Sequence, residues 1–419
     1  MVSTVSFLPR LQRQVWLLAF GRLLSQIGTG FTLFYAPIFF VNQVGLSATA
    51  VGLGIGSASI SGIIGRVLGG SFADSKFWGR RRTLLLSAAI SAIADVFLAS
   101  AYNFPTFVVG NLFMGLGIGI YWPATEAVVA DLTTPDQRNE AYSITRLCDS
   151  LGLGIGVVLG GILISTTGLY RLLFVVDGIS FVVFFGMIYV AIAETNRSFN
   201  QHSQLSGWKT ALSDRRLVIY AIANTMFTTY IVQIDSTLPL YFSNFVRVDG
   251  SDRGFEPATI SILFTGYLTL AVLIQLPIAR ALNRWRRSQV LMVSALFWSL
   301  GFLLIWITGT SPQNTLTWAA IALSVLSFAI VTYTPSAASL VVELAPESLR
   351  GVYLGINSQC WALGYLIGPP LGGWALDQPR PVANRYWLFL ILSVAIALSI
   401  LWTLDKMMVR SRENSSTNE

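Results

Sequence analysis

Twelve long apolar segments dominate this sequence and limit what it can fold into. A helix needs about 20 apolar residues to cross the hydrocarbon core of a bilayer. Segments of that length lie at 14–42, 49–74, 82–101, 105–131, 139–167, 171–193, 217–245, 258–282, 288–309, 315–342, 351–376 and 385–408. Because they are long and do not alternate apolar with polar residues, they predict membrane-spanning helices and not barrel strands. Charged residues make up only 11% of the chain, against about 25% in a soluble domain.

A glycine pattern occurs twice, as GLGIGVVLGG at 152–161 and as GYLIGPPLGG at 364–373, an offset of 212 residues (364 − 152). At this offset Tyr121 matches Tyr333 and Cys148 matches Cys360. A repeat of half the chain predicts two copies of one large unit. We expect six-helix bundles at 1–193 and 217–410, joined by a cytoplasmic linker at 194–216 and followed by a disordered tail at 411–419.

Glycines four residues apart leave one helix face without side chains, so that a neighbouring backbone can approach closely. The pattern predicts such faces on the fifth and eleventh spans. Either these faces move during function, or they provide static packing. The residues assigned to helix packing are Gly152, Gly156, Gly160, Gly364, Gly368, Pro369 and Gly372.

The charge distribution predicts the topology. Lys and Arg are concentrated in the loops on the side of the two termini, so the positive-inside rule places both termini in the cytoplasm. The net charge of +7 is therefore a topology signal and needs no nucleic-acid partner. We expect a multi-pass monomer in the plasma (cell inner) membrane, in contact with the lipid bilayer.

A short loop and the repeat together resemble a known family. In GGSFADSKFWGRRR (69–82), Gly70, Asp74, Gly79, Arg80 and Arg81 fit the pattern Gly-x-Leu-x-Asp, a turn, then Gly-Arg-Arg. Two six-helix halves with this loop resemble the major facilitator superfamily, in particular its twelve-helix drug–proton antiporter branch. The resemblance implies an all-α membrane protein with twelve transmembrane helices in two pseudo-symmetric six-helix bundles.

The same resemblance implies a role for the loop. Asp74 would meet the N-terminus of the eleventh helix near Gly351, and an arginine of the loop would meet Asp131 at the end of the fourth. These contacts would form a gate, the alternative being an anchor that sets topology alone. The gating residues expected are Gly70, Asp74, Gly79, Arg80, Arg81, Asp131 and Arg138.

Charged residues inside the spans are the main candidates for a binding site. Each costs about 2.5–3.5 kcal/mol at the bilayer centre, so each needs a partner or a function. Asp149 and Asp235 are the leading proton carriers, followed by Glu126, whereas structural pairing is expected for Asp95 and Asp177. Polar and aromatic residues on the same helix faces complete the set expected to bind substrate or protons: Arg22, Gln26, Tyr35, Trp122, Glu126, Arg146, Asp149, Asn224, Asp235 and Tyr333.

Two details of this set remain open. Arg146 and Asp149 are three residues apart on one helix and could pair with each other. The family's fourth-helix motif has an arginine where aligning its glycine on Gly115 places Asn111. Arg22 or Arg146 could substitute for that arginine, or the coupling could differ.

The sequence therefore predicts a secondary transporter that works by alternating access. Proton-driven export of amphipathic or drug-like molecules is the leading hypothesis, because the expected site is aromatic with sparse charges. The alternatives are a symporter or uniporter that imports a metabolite, and a membrane sensor or scaffold that transports nothing. Since the only histidine, His202, lies in the linker, we expect neither an enzyme nor a cofactor or metal.

Overall fold

The computed structural model describes residues 11–75, 77–134, 137–194, 204–248, 254–282, 284–346 and 349–416. These residues form helices and connecting loops, with no strand among them. The elements are α1 (Arg13–Leu33), α2 (Ala36–Asn42), α3 (Ala48–Ala73), α4 (Gly79–Ser100), α5 (Phe104–Asp131), α6 (Arg138–Thr167), α7 (Arg171–Ala191), α8 (Gln204–Ser213), α9 (Arg215–Val232), a π-helical segment (Gln233–Thr237), α10 (Leu238–Asn244), α11 (Pro257–Ala281), α12 (Arg287–Thr310), α13 (Thr315–Leu344), α14 (Arg350–Leu376) and α15 (Arg380–Ser416).

The prediction of an all-helical membrane protein is confirmed. Within the described ranges, eleven helical segments are long and apolar enough to cross a membrane. The eleventh predicted span forms the 27-residue helix α14, whose glycines, prolines and amides lower its mean hydropathy. The first eleven predicted spans match the helices to within three residues at each end, whereas α15 runs from Arg380 to Ser416. A helix can extend into water beyond the hydrocarbon, so hydropathy alone misses such polar turns.

The first and seventh spans are interrupted near a proline. In the first, α1 ends at Leu33 and α2 begins at Ala36, directly before Pro37. In the seventh, the π-helical segment Gln233–Thr237 lies just before Pro239 in α10. Proline has no backbone N–H and obstructs the preceding turn, which accounts for an interruption in both places. π-Helical turns are frequent at functional sites, and this one contains Asp235.

The chain forms two compact units. The first comprises the described residues within Met1–Tyr35 and Ser57–Asn200, and the second those within Ala36–Gly56 and Gln201–Glu419. In the first unit α1 packs on α6 and α7, and α4 packs on α5 and α7. In the second unit α9 packs on α14 and α15, and α12 packs on α13 and α15. Equivalent helices are therefore neighbours in both units, in keeping with the sequence repeat.

The linker and the tail remain predictions. The segment 194–216 contains α8, while residues 195–203 lie outside the described residues. In the tail, α15 continues to Ser416 and residues 417–419 lie outside the described residues.

The glycines of the repeated pattern pack against the first helix of their own unit. A Cβ on Gly156 would meet the carbonyl oxygen of Ile27 and lie 2.8 Å from the Cα of Gly30 on α1. In the second unit a Cβ on Gly368 would lie 3.3 Å from a methyl carbon of Val232 on α9. The other members make similar contacts with α1 (Gly152, Gly160) or with the α9–π segment (Gly364, Gly372), and Pro369 lies against Gly52. All of these contacts lie inside one unit, and the two roles named for the faces, movement and static packing, remain predictions.

We expect Gly156→Ala to lower the free energy of unfolding by about 1–3 kcal/mol, the usual cost of overpacking. Gly154→Ala is the matched control on the same helix, because a Cβ there has no atom within 4 Å. Alanine favours a helix over glycine by about 0.5–1 kcal/mol, so the control should be at least as stable as the original protein. Thermal unfolding in detergent measures both, and equal stability of the two variants would contradict the close α1–α6 contact.

Candidate functional site

A buried ion pair joins α1 to α6 in the first unit. Arg22 is 2% exposed, and its Nε donates to Oδ1 of Asp149 at 2.9 Å. Its Nη2 also contacts Oδ2 of Asp149. Because removing a charge from water costs several kcal/mol per ion, each of these two groups stabilises the other at this depth.

Aromatic rings and a second ion pair surround the first. The guanidinium carbon of Arg22 lies 5.3 Å from the ring centroid of Trp122, and that of Arg146 lies 5.6 Å from the same ring. Arg146 Nη2 is 3.8 Å from Glu126 Oε1, and these two side chains are 68% and 53% exposed. We call Arg22, Trp122, Glu126, Arg146 and Asp149 the charge cluster.

The structure brings together several of the predicted site residues, but their charged side chains form other pairs than the sequence suggested. The predicted possibility of an Arg146–Asp149 pair is wrong, because Arg22 occupies both oxygens of Asp149 and Arg146 lies beside Glu126. Gln26 is next to this pair, since a Cβ on Gly152 would lie 2.8 Å from the Cβ of Gln26.

Two residues of the first unit have local partners. The buried hydroxyl of Tyr35 donates to the carbonyl of Val157 at 3.1 Å, so this ring lies at the α1–α6 contact. Asn111, at the position where the family has an arginine, donates to the carbonyl of Phe107 at 2.9 Å.

A buried polar network in the second unit contains two other predicted residues. The hydroxyl of Tyr333 donates to Asn224 Oδ1 at 2.7 Å, and Asn224 Nδ2 donates to Asn357 Oδ1 at 3.0 Å. Tyr220 donates to the same oxygen of Asn357 at 2.8 Å. The sequence analysis missed Asn357 and Tyr220, although an asparagine within an apolar span is the signal that could have found Asn357.

Asp235 lies apart from that network in the π-helical segment. Its Oδ2 accepts a long hydrogen bond of 3.5 Å from the hydroxyl of Tyr365, and its side chain is half-buried. The carboxylate therefore has an adjacent phenol on α14.

The loop between α3 and α4 has one of the contacts that the resemblance implied. Arg80 is 3% exposed; it contacts the carboxylate of Asp131 and donates to the carbonyl of Ala127 at 3.0 Å. Its Nη2 lies 3.9 Å from Oδ1 of Asp74. Gly79 has a φ of 78°, a left-handed conformation that glycine adopts without strain.

Other parts of the predicted gate have local roles or are not described. The carbonyl of Gly70 accepts from the N–H of Asp74 at 3.1 Å, which closes a turn. Arg81 Nη2 donates to the carbonyl of Tyr189 at 2.5 Å. The side chain of Arg138 lies outside the described residues.

Two carboxylates that cap helices were not predicted. Glu194 Oε1 accepts from the N–H of Arg80 at 2.7 Å and from that of Arg81 at 3.3 Å. Asp377 accepts from the N–H groups of Ala48 and Thr49, each at 2.8 Å. Acidic groups stabilise helix N-termini, but each of these comes from a segment more than 100 residues away, so no local pattern reveals it.

Comparisons with known proteins agree with this architecture. A family model described as Major Facilitator Superfamily matches residues 18–250 and 248–419. Multidrug resistance protein MdtH of Klebsiella pneumoniae is 27% identical over 376 residues, which cover 87% of each chain. The protein of the same name from Salmonella typhimurium is 26% identical over 360 residues and covers 85% of each chain.

Solved structures of low sequence identity share the fold. The nucleoside transporter NupG has a TM-score of 0.79 at 15% identity, covering 94% of this chain and 100% of its own. A D-xylose-proton symporter has a TM-score of 0.71 at 19% identity, covering 93% of this chain and 97% of its own. These similarities show the fold alone.

We expect Asp149→Asn to destabilise the protein by about 3–5 kcal/mol, because it leaves the charge of Arg22 buried without its partner. Glu126→Gln, which breaks the exposed pair with Arg146, should cost about 0–1 kcal/mol. Thermal unfolding in detergent measures both.

A double variant, Arg22→Gln with Asp149→Asn, isolates the interaction between the two charges. It should recover most of the stability that Asp149→Asn loses, since no buried charge is then left. A double variant as unstable as the sum of the single variants would contradict the pairing.

Proposed function

The chain belongs to the major facilitator superfamily, and we propose that this transporter exports amphipathic or drug-like molecules in exchange for protons. The family and the named relatives are membrane transporters of small molecules, not enzymes. The buried Arg22–Asp149 pair beside Trp122 is the observation on which the proposal rests.

The ion pair supplies a means of proton coupling. A proton on Asp149 neutralises its carboxylate and removes the charge that holds Arg22 between α1 and α6. The guanidinium then retains the aromatic faces of Tyr121 and Trp122, whose ring centroids lie 5.7 Å and 5.3 Å from its carbon. A proton can thus shift the balance between two arrangements of these helices, since a ligand shifts an equilibrium by its differential affinity for the two states.

The charge cluster favours an amphipathic substrate. Trp122 presents an aromatic face, and Glu126 is an exposed carboxylate paired loosely with Arg146. Aromatic faces bind cations as well as apolar rings, so a lipophilic cation can compete with Arg146 for both groups. The name of the MdtH relatives, multidrug resistance protein, supports the same class of substrate.

The second proton carrier and the topology that we propose are those expected from the sequence. We assign Asp235, with its neighbour Tyr365, as a second proton carrier in the second unit. The distribution of basic residues supports cytoplasmic termini, and the inner membrane is the proposed location of a monomer that works by alternating access.

We expect purified protein in proteoliposomes to move a fluorescent lipophilic cation against an imposed proton gradient. Asp149→Asn and Asp235→Asn should each lower this pH-driven flux by about tenfold or more, a change of about 1.4 kcal/mol. Asp405→Asn is the control, because that carboxylate accepts from Ser288 at 2.5 Å, far from the charge cluster in sequence. Applying the gradient in both directions separates export from import.

Two results would count against the proposal. Full pH-driven flux in both Asp149→Asn and Asp235→Asn would exclude these residues as carriers. Movement of the cation in the same direction as the protons would replace export with symport.

We expect Arg80→Gln to slow transport by about tenfold, because it leaves the carboxylate of Asp131, which is 6% exposed, without its partner. Arg82→Gln is the matched control on the same turn, since Arg82 is exposed and donates to the carbonyl of Phe77. Initial rates in proteoliposomes measure both variants, together with Asp74→Asn. Unchanged rates for Arg80→Gln and Asp74→Asn would reduce the loop to a topology anchor.

A further inference from the structure

Two aspartates of the first unit are buried away from the charge cluster. Asp95 on α4 is 2% exposed and Asp177 on α7 is 1% exposed. The two helices pack on each other, and a Cβ on Gly178 would lie 3.1 Å from the Cβ of Asp95. Asp95 therefore lies against the backbone that carries Asp177.

Three of the four carboxyl oxygens of these residues have no hydrogen-bond partner in the structure: both oxygens of Asp95 and Oδ1 of Asp177. Oδ2 of Asp177 accepts from the hydroxyl of Thr32 on α1 at 3.1 Å, and that hydroxyl shares its proton with the carbonyl of Thr29 at 3.0 Å. A buried ionised carboxylate without a donor or a cation is very costly, whereas a neutral carboxylic acid is much less so. Asp177 thus has a hydrogen-bond donor, Thr32, whereas the carboxyl group of Asp95 has none.

Three basic residues of the neighbouring helices have other partners. Arg22 on α1 pairs with Asp149, and Arg171 on α7 donates to the carbonyl oxygens of Ala99 and Ala101. On α4, Arg80 contacts Asp131 of α5. The other acid of α5, Glu126, lies beside Arg146.

In the ion pairs of the described residues, neither aspartate has a basic partner. The negative charge of these two aspartates must therefore be reduced by something other than a basic residue.

We propose that Asp95 and Asp177 form a proton-binding site, in which Asp95 carries the proton and Asp177 carries the negative charge. Like charges in a low-dielectric interior disfavour ionisation of both groups. The hydroxyl of Thr32 stabilises the charge on Asp177, because it donates to the carboxylate. This assignment goes beyond the proposed function, which uses Asp149 and Asp235.

The site also contacts the helix that carries Arg22. Thr32 belongs to α1, the helix that carries Arg22. A second proton, taken up by Asp177, weakens the hydrogen bond from Thr32 and thus changes a contact between α1 and α7. The first unit then has two places, one on α6 and one on α7, where protonation alters the packing of α1.

Infrared difference spectroscopy of the purified full chain in detergent tests the assignment without any transport measurement. Asp95→Asn should lose the absorption of one protonated carboxylic acid at neutral pH and leave the carboxylate absorption unchanged. Asp177→Asn should lose the absorption of one carboxylate and leave the acid absorption unchanged. The control Asp405→Asn should lose a carboxylate only, since Asp405 has donors from Ser288 and Arg286.

The outcomes are distinct. Loss of a carboxylate and no acid in Asp95→Asn would overturn the proposal, because Asp95 would then be ionised. Loss of an acid in Asp177→Asn would overturn the assignment of the charge to Asp177. Both results would leave the proposed export function untouched.

Thermal unfolding provides a second measurement that also reports whether the variants fold. Asparagine has the size of a neutral aspartic acid, but an aspartate in the unfolded chain loses its proton above about pH 4, so keeping Asp95 protonated in the folded protein costs stability as the pH rises. The original protein should therefore lose stability between about pH 4 and neutral pH, and Asp95→Asn should lose less and unfold at a higher temperature at neutral pH. Thr32→Val should shift the carboxylate band and leave the acid band in place. Equal losses of stability in both proteins between about pH 4 and neutral pH would contradict the proposal.

Discussion

The absence of water from the hydrocarbon core is the constraint on which the structure depends. Backbone polar groups must be satisfied inside each segment, which restricts the spans to helices. The same constraint acts on side chains, since a buried charge without a partner is expensive. Arg22 and Asp149 satisfy it by pairing, and Arg80 and Asp131 do so near the ends of their helices. Asp95 and Asp177 have no such partner among the described residues, and a bound proton satisfies the constraint in their case.

Close helix packing and the position of the ion pair are linked. Gly152 lies against Leu23 and Gln26 on α1, and Gly156 lies against Ile27 and Gly30. Asp149 is about one turn before Gly152, and Arg22 is about one turn before Gln26. The glycine face therefore sets the spacing and the register at which the two charges meet. A side chain larger than glycine in this contact would separate α1 from α6 and weaken the pair as well as the packing.

In the second unit, neutral groups form the contact between the equivalent helices. If Pro37 is matched to Pro239, an offset of 202 residues (239 − 37), Arg22 falls on Asn224 (224 − 22 = 202). Where Arg22 reaches α6 with a charge, Asn224 reaches α14 through hydrogen bonds with Asn357. Equivalent helices thus contact each other through an ion pair in one unit and through an amide network in the other. A proton can neutralise the carboxylate of an ion pair but not an amide network, so the two units differ in the chemistry of this contact although their helices have the same neighbours.

The sequence alone determined the number of the spans, the limits of the first eleven, the repeat and the close packing of the glycine faces, because hydropathy and glycine spacing are properties of a single segment. It also pointed, by family resemblance, to the contact of Arg80 with Asp131. Only the tertiary structure decided that Asp149 pairs with Arg22, 127 residues away, and not with Arg146 on its own helix. It likewise revealed that Glu194 and Asp377 cap helices, and that the carboxyl oxygens of Asp95 have no hydrogen-bond partner. Such partners depend on which helices are neighbours and how each is rotated about its axis, and no local pattern in the chain encodes that.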